Sequence, residues 1–123
     1  MDKNKTCFSG CIYKYTNLQN GKVYIGQTSN LKNRRNYHEK QHHNKYPIDK
    51  ALSKYGIEHF EFEILVEFTC ISYEAYRKVA DQLEMFYIKQ YRQNGYKLYN
   101  ITNGGGYSWA DYNKNRVYKK LSK

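Results

Sequence analysis

One stretch constrains this chain more than any other: Gly10 to Arg35, GCIYKYTNLQNGKVYIGQTSNLKNRR. Two short runs, Cys11-Ile12-Tyr13-Lys14-Tyr15 and Lys22-Val23-Tyr24-Ile25-Gly26, flank a polar turn with Asn20-Gly21 at its tip. Both runs alternate. Tyr13 and Tyr15 share one face of the first, with Ile12 opposite. Lys22, Tyr24 and Gly26 share one face of the second, with Val23 and Ile25 opposite. Period-two alternation around Asn-Gly specifies a β-hairpin, because both turn residues tolerate the positive φ that a tight reversal needs. The spacing allows more than one loop length and leaves the register open.

The rest of the chain supplies what must cover such a hairpin. Leu31, Arg34, Arg35 and His38 recur at helical spacing, and Ser29 or Asn30 can cap the start, which predicts a helix over 30–43. Arg34 and His38 are i and i+4 and so project from one face. Pro47 suits the first turn of a second helix, with Ile48, Ala51, Leu52 and Tyr55 as its apolar stripe and Gly56 as its stop, over 47–56. His59 to Leu65 alternates again, with Phe60, Phe62 and Ile64 on one side, and predicts a third strand over 60–66. A long helix follows over 72–93, with a stripe of Tyr76, Val79, Ala80, Leu83, Phe86 and Tyr87. On this reading Glu84 lies on the shoulder of the stripe, and Glu74 and Asp81 lie on the solvated side. Tyr99-Asn100-Ile101 is a short extended piece before the break Asn103-Gly104-Gly105-Gly106. The pattern gives an α+β fold of α/β-sandwich type, with a small, three-stranded, mainly antiparallel sheet flanked by helices. It forms one domain over 1–106, followed by a basic, aromatic tail over 107–123.

Charge narrows the partner. The 21 Lys and Arg exceed the 11 Asp and Glu, for a net charge of +10 on 123 residues, and a phosphate polyanion is the natural counterpart. The basic residues are spread over all elements rather than along one amphipathic helix, and no apolar run reaches membrane-span length, so a nucleic acid is favoured over a lipid surface. Cys7, Cys11 and Cys70 are sparse and odd in number, as expected for reduced thiols in a cytoplasmic setting, or inside a host cell if the gene is carried by a phage or mobile element. Cys7 and Cys11 with His42 and His43 match no zinc-binding spacing.

The residues able to do phosphodiester chemistry are Tyr13, Lys22, Tyr24, Arg34, His38, Glu84 and Asn100. Hydrolysis needs an activated water, a cation to neutralise charge growing on the phosphate, and a divalent metal at the leaving oxygen. One carboxylate, completed by waters and a phosphate oxygen, suits Mg²⁺ (or Mn²⁺). A tyrosine ordinarily titrates near pH ~10, so it needs cationic neighbours to serve as a base. Lys22, two residues from Tyr24 on the same strand face, is a candidate. Lys14, Arg35, Lys40 and His43, with Lys119 and Lys120 in the tail, are candidate contacts to the DNA backbone.

Cys11-Ile12-Tyr13 and, ten residues on, Tyr24-Ile25-Gly26 resemble the paired motif of the GIY-YIG nuclease superfamily. Arg34 follows Gly26 by eight residues, with His38 one turn later. Glu84 lies in an aromatic-flanked helix and Asn100 in Leu98-Tyr99-Asn100-Ile101. Lys54-Tyr55-Gly56 with Phe60-Glu61-Phe62 resembles the middle segment of the homing-type members. Cys11 stands where the motif has its first glycine. The resemblance spans Gly10 to Gly105 and implies a metal-dependent DNA endonuclease of homing, phage or mobile-element type. In that family Tyr13 would be the general base or orient the water, and Tyr24 would orient the scissile phosphate. Arg34, assisted by His38, would stabilise the pentavalent phosphorane. Glu84 would hold the single metal and Asn100 would support the site. No organic cofactor is implied, and a monomer or weak dimer is expected, because one site cuts one strand at a time. The alternative is a basic nucleic-acid-binding module that has lost activity.

Overall fold

The computed structural model of the chain describes residues 7–40 and 45–101. The expected last turn of the first helix, His43, and the tail with Lys119 and Lys120 lie outside them. The elements are β1 (Phe8–Asn17), β2 (Val23–Thr28), α1 (Leu31–Lys40), α2 (Pro47–Tyr55), a 3₁₀ turn (Ile57–His59), β3 (Phe60–Cys70) and α3 (Tyr73–Gln93). The three strands form one antiparallel sheet in the order β2-β1-β3.

The hairpin register pairs Cys11 with Thr28, Tyr13 with Gly26 and Thr16 with Val23. Its loop is longer than two residues. Asn17 N–H donates to Lys22 O, Gly21 N–H donates back to Asn17 O, and Gly21 holds φ at 78°, where a glycine costs least. Val23 therefore opens β2 and Lys22 belongs to the turn. The third strand runs four residues beyond the expected Val66, and its pairing with β1 shifts register between Ile12 and Tyr13. This irregularity keeps Phe62 and Ile64 opposite Tyr15 and Tyr13 while Val66 pairs with Ile12.

Alternation in β1 sorts the core into two layers. Cys11, Tyr13 and Tyr15 pack on Ile48, Ala51 and Leu52 of α2 and on Phe60, with Leu31 of α1 alongside. Ile12, Val23 and Ile25 face the other way, onto Ile88, Leu83 and Tyr87 of α3. Helices thus cover both faces of the sheet.

The buried row of α3 differs from the expected stripe. It is Tyr76, Ala80, Glu84 and Ile88, a single i, i+4 series, whereas Phe86 is 52% exposed. The carboxylate of Glu84 sits within the row rather than on its shoulder. Helical periodicity in the sequence fits either row, because both i+3 and i+4 steps carry apolar residues. The apolar sheet face of Ile12, Val23 and Ile25, onto which α3 packs, decides between them.

After α3 the chain returns to the open edge of β2. Lys97 O accepts from Val23 N–H, Tyr99 N–H donates to Val23 O, and Leu98 pairs with Val23 as an isolated parallel bridge. Among the described residues no helix is long and apolar enough to cross a membrane.

Candidate active site

The site is built around the Tyr13 ring, which emerges from the central strand and is only 1% exposed. Its hydroxyl sits over Gly26 on the neighbouring strand. A Cβ at that glycine would lie 2.5 Å from the oxygen and 2.6 Å from Cζ, so the second glycine of the motif makes room for the first tyrosine. Tyr24 lies alongside, its ring centroid 6.1 Å from that of Tyr13. Tyr24 keeps part of its surface in solvent, whereas Tyr13 is sealed behind it.

The α1 helix brings Arg34 and His38 to this pair. His38 is buried, with Nε2 3.0 Å from the Tyr13 hydroxyl. Its other nitrogen, Nδ1, is 3.3 Å from Asp49 Oδ1 on α2. Asp49 is itself 2% exposed, and its Oδ2 accepts the Tyr46 backbone N–H at 3.2 Å. Arg34 is exposed and lies against Tyr37, its guanidinium carbon 5.8 Å from the ring centroid.

Burial pushes the Tyr13 hydroxyl well above the usual tyrosine range; neighbouring Tyr24 adds to the shift and Arg34 opposes it. Tyr24 is raised by burial first and by Glu84 next, again against Arg34 and the neighbouring Tyr13 hydroxyl. Neither tyrosine is a ready phenolate, and any proton it gives up needs an acceptor close by. Arg34 from α1 lowers both hydroxyls and Glu84 from α3 raises both, so one charge of each sign acts on the tyrosine pair.

Glu84 reaches this edge from the α3 face. Its Oε1 accepts from Gln27 Nε2 at 2.9 Å, and the same nitrogen is 3.1 Å from Asp81 Oδ1. Arg77 closes the network, donating to Asp81 Oδ1 at 2.8 Å and to Gln27 Oε1 at 3.2 Å. Asp81 is therefore partly buried and engaged, contrary to its expected place on the solvated side. Among the described residues no cluster of three or more His, Cys, Asp or Glu is arranged to hold a metal. The Glu84 carboxylate is an oxygen donor of the kind that suits Mg²⁺ or Mn²⁺, and no set of thiolates or imidazoles for a protein-enclosed zinc stands with it among the described residues.

Asn100 works through the backbone. Its Oδ1 accepts from Ile25 N–H at 3.0 Å and its Nδ2 donates to Ile25 O at 2.6 Å. The side chain imitates a peptide on the open edge of β2 and holds the strand that carries Tyr24 and Gly26.

Several candidates are placed elsewhere. Lys22 stands at the hairpin turn, exposed, with Nζ 5.5 Å from the Tyr99 ring centroid, so the cation acting on Tyr24 is Arg34 instead. Lys14 points to the α3 face, because even-numbered positions of β1 oppose Tyr13. Its ammonium pairs with Glu63 at 3.0 Å with 14% of its side chain exposed, which removes it as a free DNA contact. Arg35 is bound to Glu39 at 2.7 Å and stacked 3.9 Å from the Phe62 ring centroid, so it braces α1 against β3. Lys40 is exposed near the end of α1.

Asp49, Gln27, Asp81 and Glu39 are the participants that sequence reasoning missed. Glu39 accepts from the Tyr15 hydroxyl at 2.7 Å as well as from Arg35. Asp49 left one usable signal. It lies among Ile48, Ala51 and Leu52, so it occupies an apolar stripe where a carboxylate requires a partner.

The model of the GIY-YIG catalytic domain matches residues 9–97. The chain belongs to the GIY-YIG family. It is 34% identical over 92 residues to a probable intron-encoded endonuclease 1 of Neurospora crassa, covering 75% of this chain and 30% of that protein. It is 39% identical over 69 residues to the putative endonuclease segD of Enterobacteria phage T4, covering 56% of this chain and 29% of that protein. The GIY-YIG match thus spans just under a third of these relatives' lengths. Among solved structures, a mutant catalytic domain of the intron endonuclease I-TevI superimposes with a TM-score of 0.57 at 28% identity, covering 78% of this chain and 96% of that one. The three-stranded antiparallel sheet with its flanking helices is the GIY-YIG fold.

Proposed function

We propose that this GIY-YIG domain is a DNA endonuclease that hydrolyses phosphodiester bonds with one divalent metal, in the service of a homing or phage-borne element. The observation that carries the reading is the buried hydrogen bond of Tyr13 with His38, seated over Gly26 beside Tyr24 and on the helix that carries Arg34 one turn earlier. Glu84 would hold Mg²⁺ or Mn²⁺, which when bound offsets charge at the leaving oxygen. Arg34, exposed beside the tyrosines, draws in the scissile phosphate and neutralises it as charge builds. The tyrosine pair orients the attacking water and receives its proton, Tyr24 at the rim and Tyr13 behind it. Asn100 keeps β2, and with it Tyr24, in place. DNA is the expected polyanion for a chain of net charge +10, and both curated relatives are named as endonucleases.

The test is incubation of the pure protein with supercoiled plasmid in Mg²⁺ and in chelator. Nicked or linear product is expected only with metal, is lost in Glu84→Ala and Arg34→Ala, and falls about a hundredfold or more in Tyr13→Phe, which removes the hydroxyl and keeps the ring. Glu84→Ala should still bind DNA, as tightly or more so. Binding without cleavage under every metal condition would instead mark an inactive nucleic-acid-binding module. Undiminished cutting by Glu84→Ala would remove the single-metal reading.

A further inference from the structure

We infer that Asp49 is a positioning residue of this site: it fixes the tautomer of His38 and so sets the direction in which protons leave the tyrosines. The functional half of this inference rests on the nuclease reading above; the other half rests on geometry alone.

The side chains of His38 and Asp49 are 2% and 1% exposed. His38 offers Nδ1 to Asp49 Oδ1 at 3.3 Å and Nε2 to the Tyr13 hydroxyl at 3.0 Å. Asp49 Oδ2 is already engaged by the Tyr46 N–H. A carboxylate only accepts, so the hydrogen between Asp49 and a neutral His38 must sit on Nδ1. The opposite tautomer would set the Nδ1 lone pair against a carboxylate oxygen in a buried place, where such a contact is most costly. With Nδ1 protonated, Nε2 presents a lone pair to Tyr13, and the Tyr13 hydroxyl donates to it. The Tyr13 oxygen keeps its lone pairs for a proton arriving from the rim side, where Tyr24 lies. The row runs one way, from Tyr13 to His38 to Asp49.

That order supplies the acceptor the buried tyrosines need. As the attacking water gives a proton to the Tyr24 oxygen, the Tyr24 proton passes to Tyr13 and the Tyr13 proton to His38 Nε2. The water oxygen bonds to phosphorus, the bond from phosphorus to the leaving oxygen breaks, and that oxygen takes a proton from solvent. The His38 imidazolium, held beside the Asp49 carboxylate, then returns its proton to solvent through the same row.

The test combines spectroscopy with kinetics. Long-range ¹H–¹⁵N spectra of the labelled chain at about pH 8, above the ordinary histidine range, should show His38 with a protonated Nδ1 and a bare Nε2. Its signals are identified by their loss in His38→Gln. In Asp49→Asn the amide oxygen stays on the Tyr46 N–H and the NH₂ group faces Nδ1, so the proton should move to Nε2. Plasmid cleavage should then lose about a hundredfold or more in kcat, with KM and DNA affinity unchanged. A wild-type His38 protonated on Nε2 overturns the inference. So does an Asp49→Asn protein that keeps its kcat, or one that loses kcat while His38 stays protonated on Nδ1. The wild-type spectrum decides the tautomer even if Asp49→Asn fails to fold. A wild-type chain that cuts no DNA removes the nuclease reading without touching that assignment.

Discussion

Asn100→Asp changes one atom in the clamp on β2 and turns a donor into an acceptor. In the native protein the amide reads Ile25 twice, accepting at 3.0 Å and donating at 2.6 Å. At neutral pH the new carboxylate can still accept from Ile25 N–H, but its second oxygen faces Ile25 O across the short contact. A hydrogen bond worth about 0.5–1.5 kcal/mol is lost, and a half-buried carbonyl left unsatisfied costs about 1–3 kcal/mol more. The expected loss is therefore about 2–4 kcal/mol, which for a domain of this size lowers Tm by roughly 10–25 °C. Protonation restores the donor. The carboxyl is thus raised in the folded state above its unfolded value, and the folded protein binds the extra proton. Relative to the native protein, the penalty is absent below about pH 4, grows as pH rises, and is complete once pH passes the folded value. Urea unfolding of both proteins from pH 4 to 8 measures the difference directly, with Asn100→Ala as a control whose loss does not vary with pH. A deficit that is the same at both ends of the range, or one below about 0.5 kcal/mol at neutrality, within the scatter of ordinary surface substitutions, would refute the clamp.

Other substitutions and conditions test other parts of the site. Gly26→Ala puts a Cβ 2.5 Å from the Tyr13 hydroxyl, and relief to 3.4 Å needs about 0.9 Å of movement from a ring with no free space. Destabilisation of about 1–3 kcal/mol in chemical unfolding is expected, together with loss of cleavage. DNA affinity measured by anisotropy should fall steeply between low and physiological salt, because lysines and arginines release condensed counterions; a flat response would mean the charge excess serves something other than DNA. Lys14→Met should leave that salt dependence unchanged, since its ammonium is committed to Glu63; a shallower slope would show that Lys14 meets phosphate after all.

The fold was legible because its signals are local. Asn20-Gly21 between alternating runs specifies the hairpin, and Pro47 and Gly56 bracket α2. Among the described residues the elements follow the patterns, save where the turn or pairing moves an end: β2 opens at Val23, and β3 continues to Cys70 because Phe8, Ser9 and Gly10 of β1 remain to be paired. The tyrosines, Arg34, His38, Glu84 and Asn100 are singled out by resemblance. Their supports are not, because a support is defined by what it touches across the sequence. Gln27 and Glu84 are 57 residues apart, and His38 and Asp49 belong to separate helices. Lys14 and Lys22 show the same limit from the other side. Each carries the right charge, but strand alternation turns one to the far face and the turn geometry takes the other away.

The outer edge of β2 has a consequence for how the molecule is made. Ile25 waits for Asn100, 75 positions later. At ribosomal speeds of about 5–20 residues per second, roughly 4–15 seconds separate their synthesis. During that interval the nascent hairpin presents an unpaired strand edge, the kind of surface that recruits a neighbouring chain. It also lacks the side-chain clamp on the strand that carries Tyr24. Closure of that edge is then timed by the ribosome, and a nascent chain stalled at the end of α3 would keep the strand edge open and be prone to aggregate.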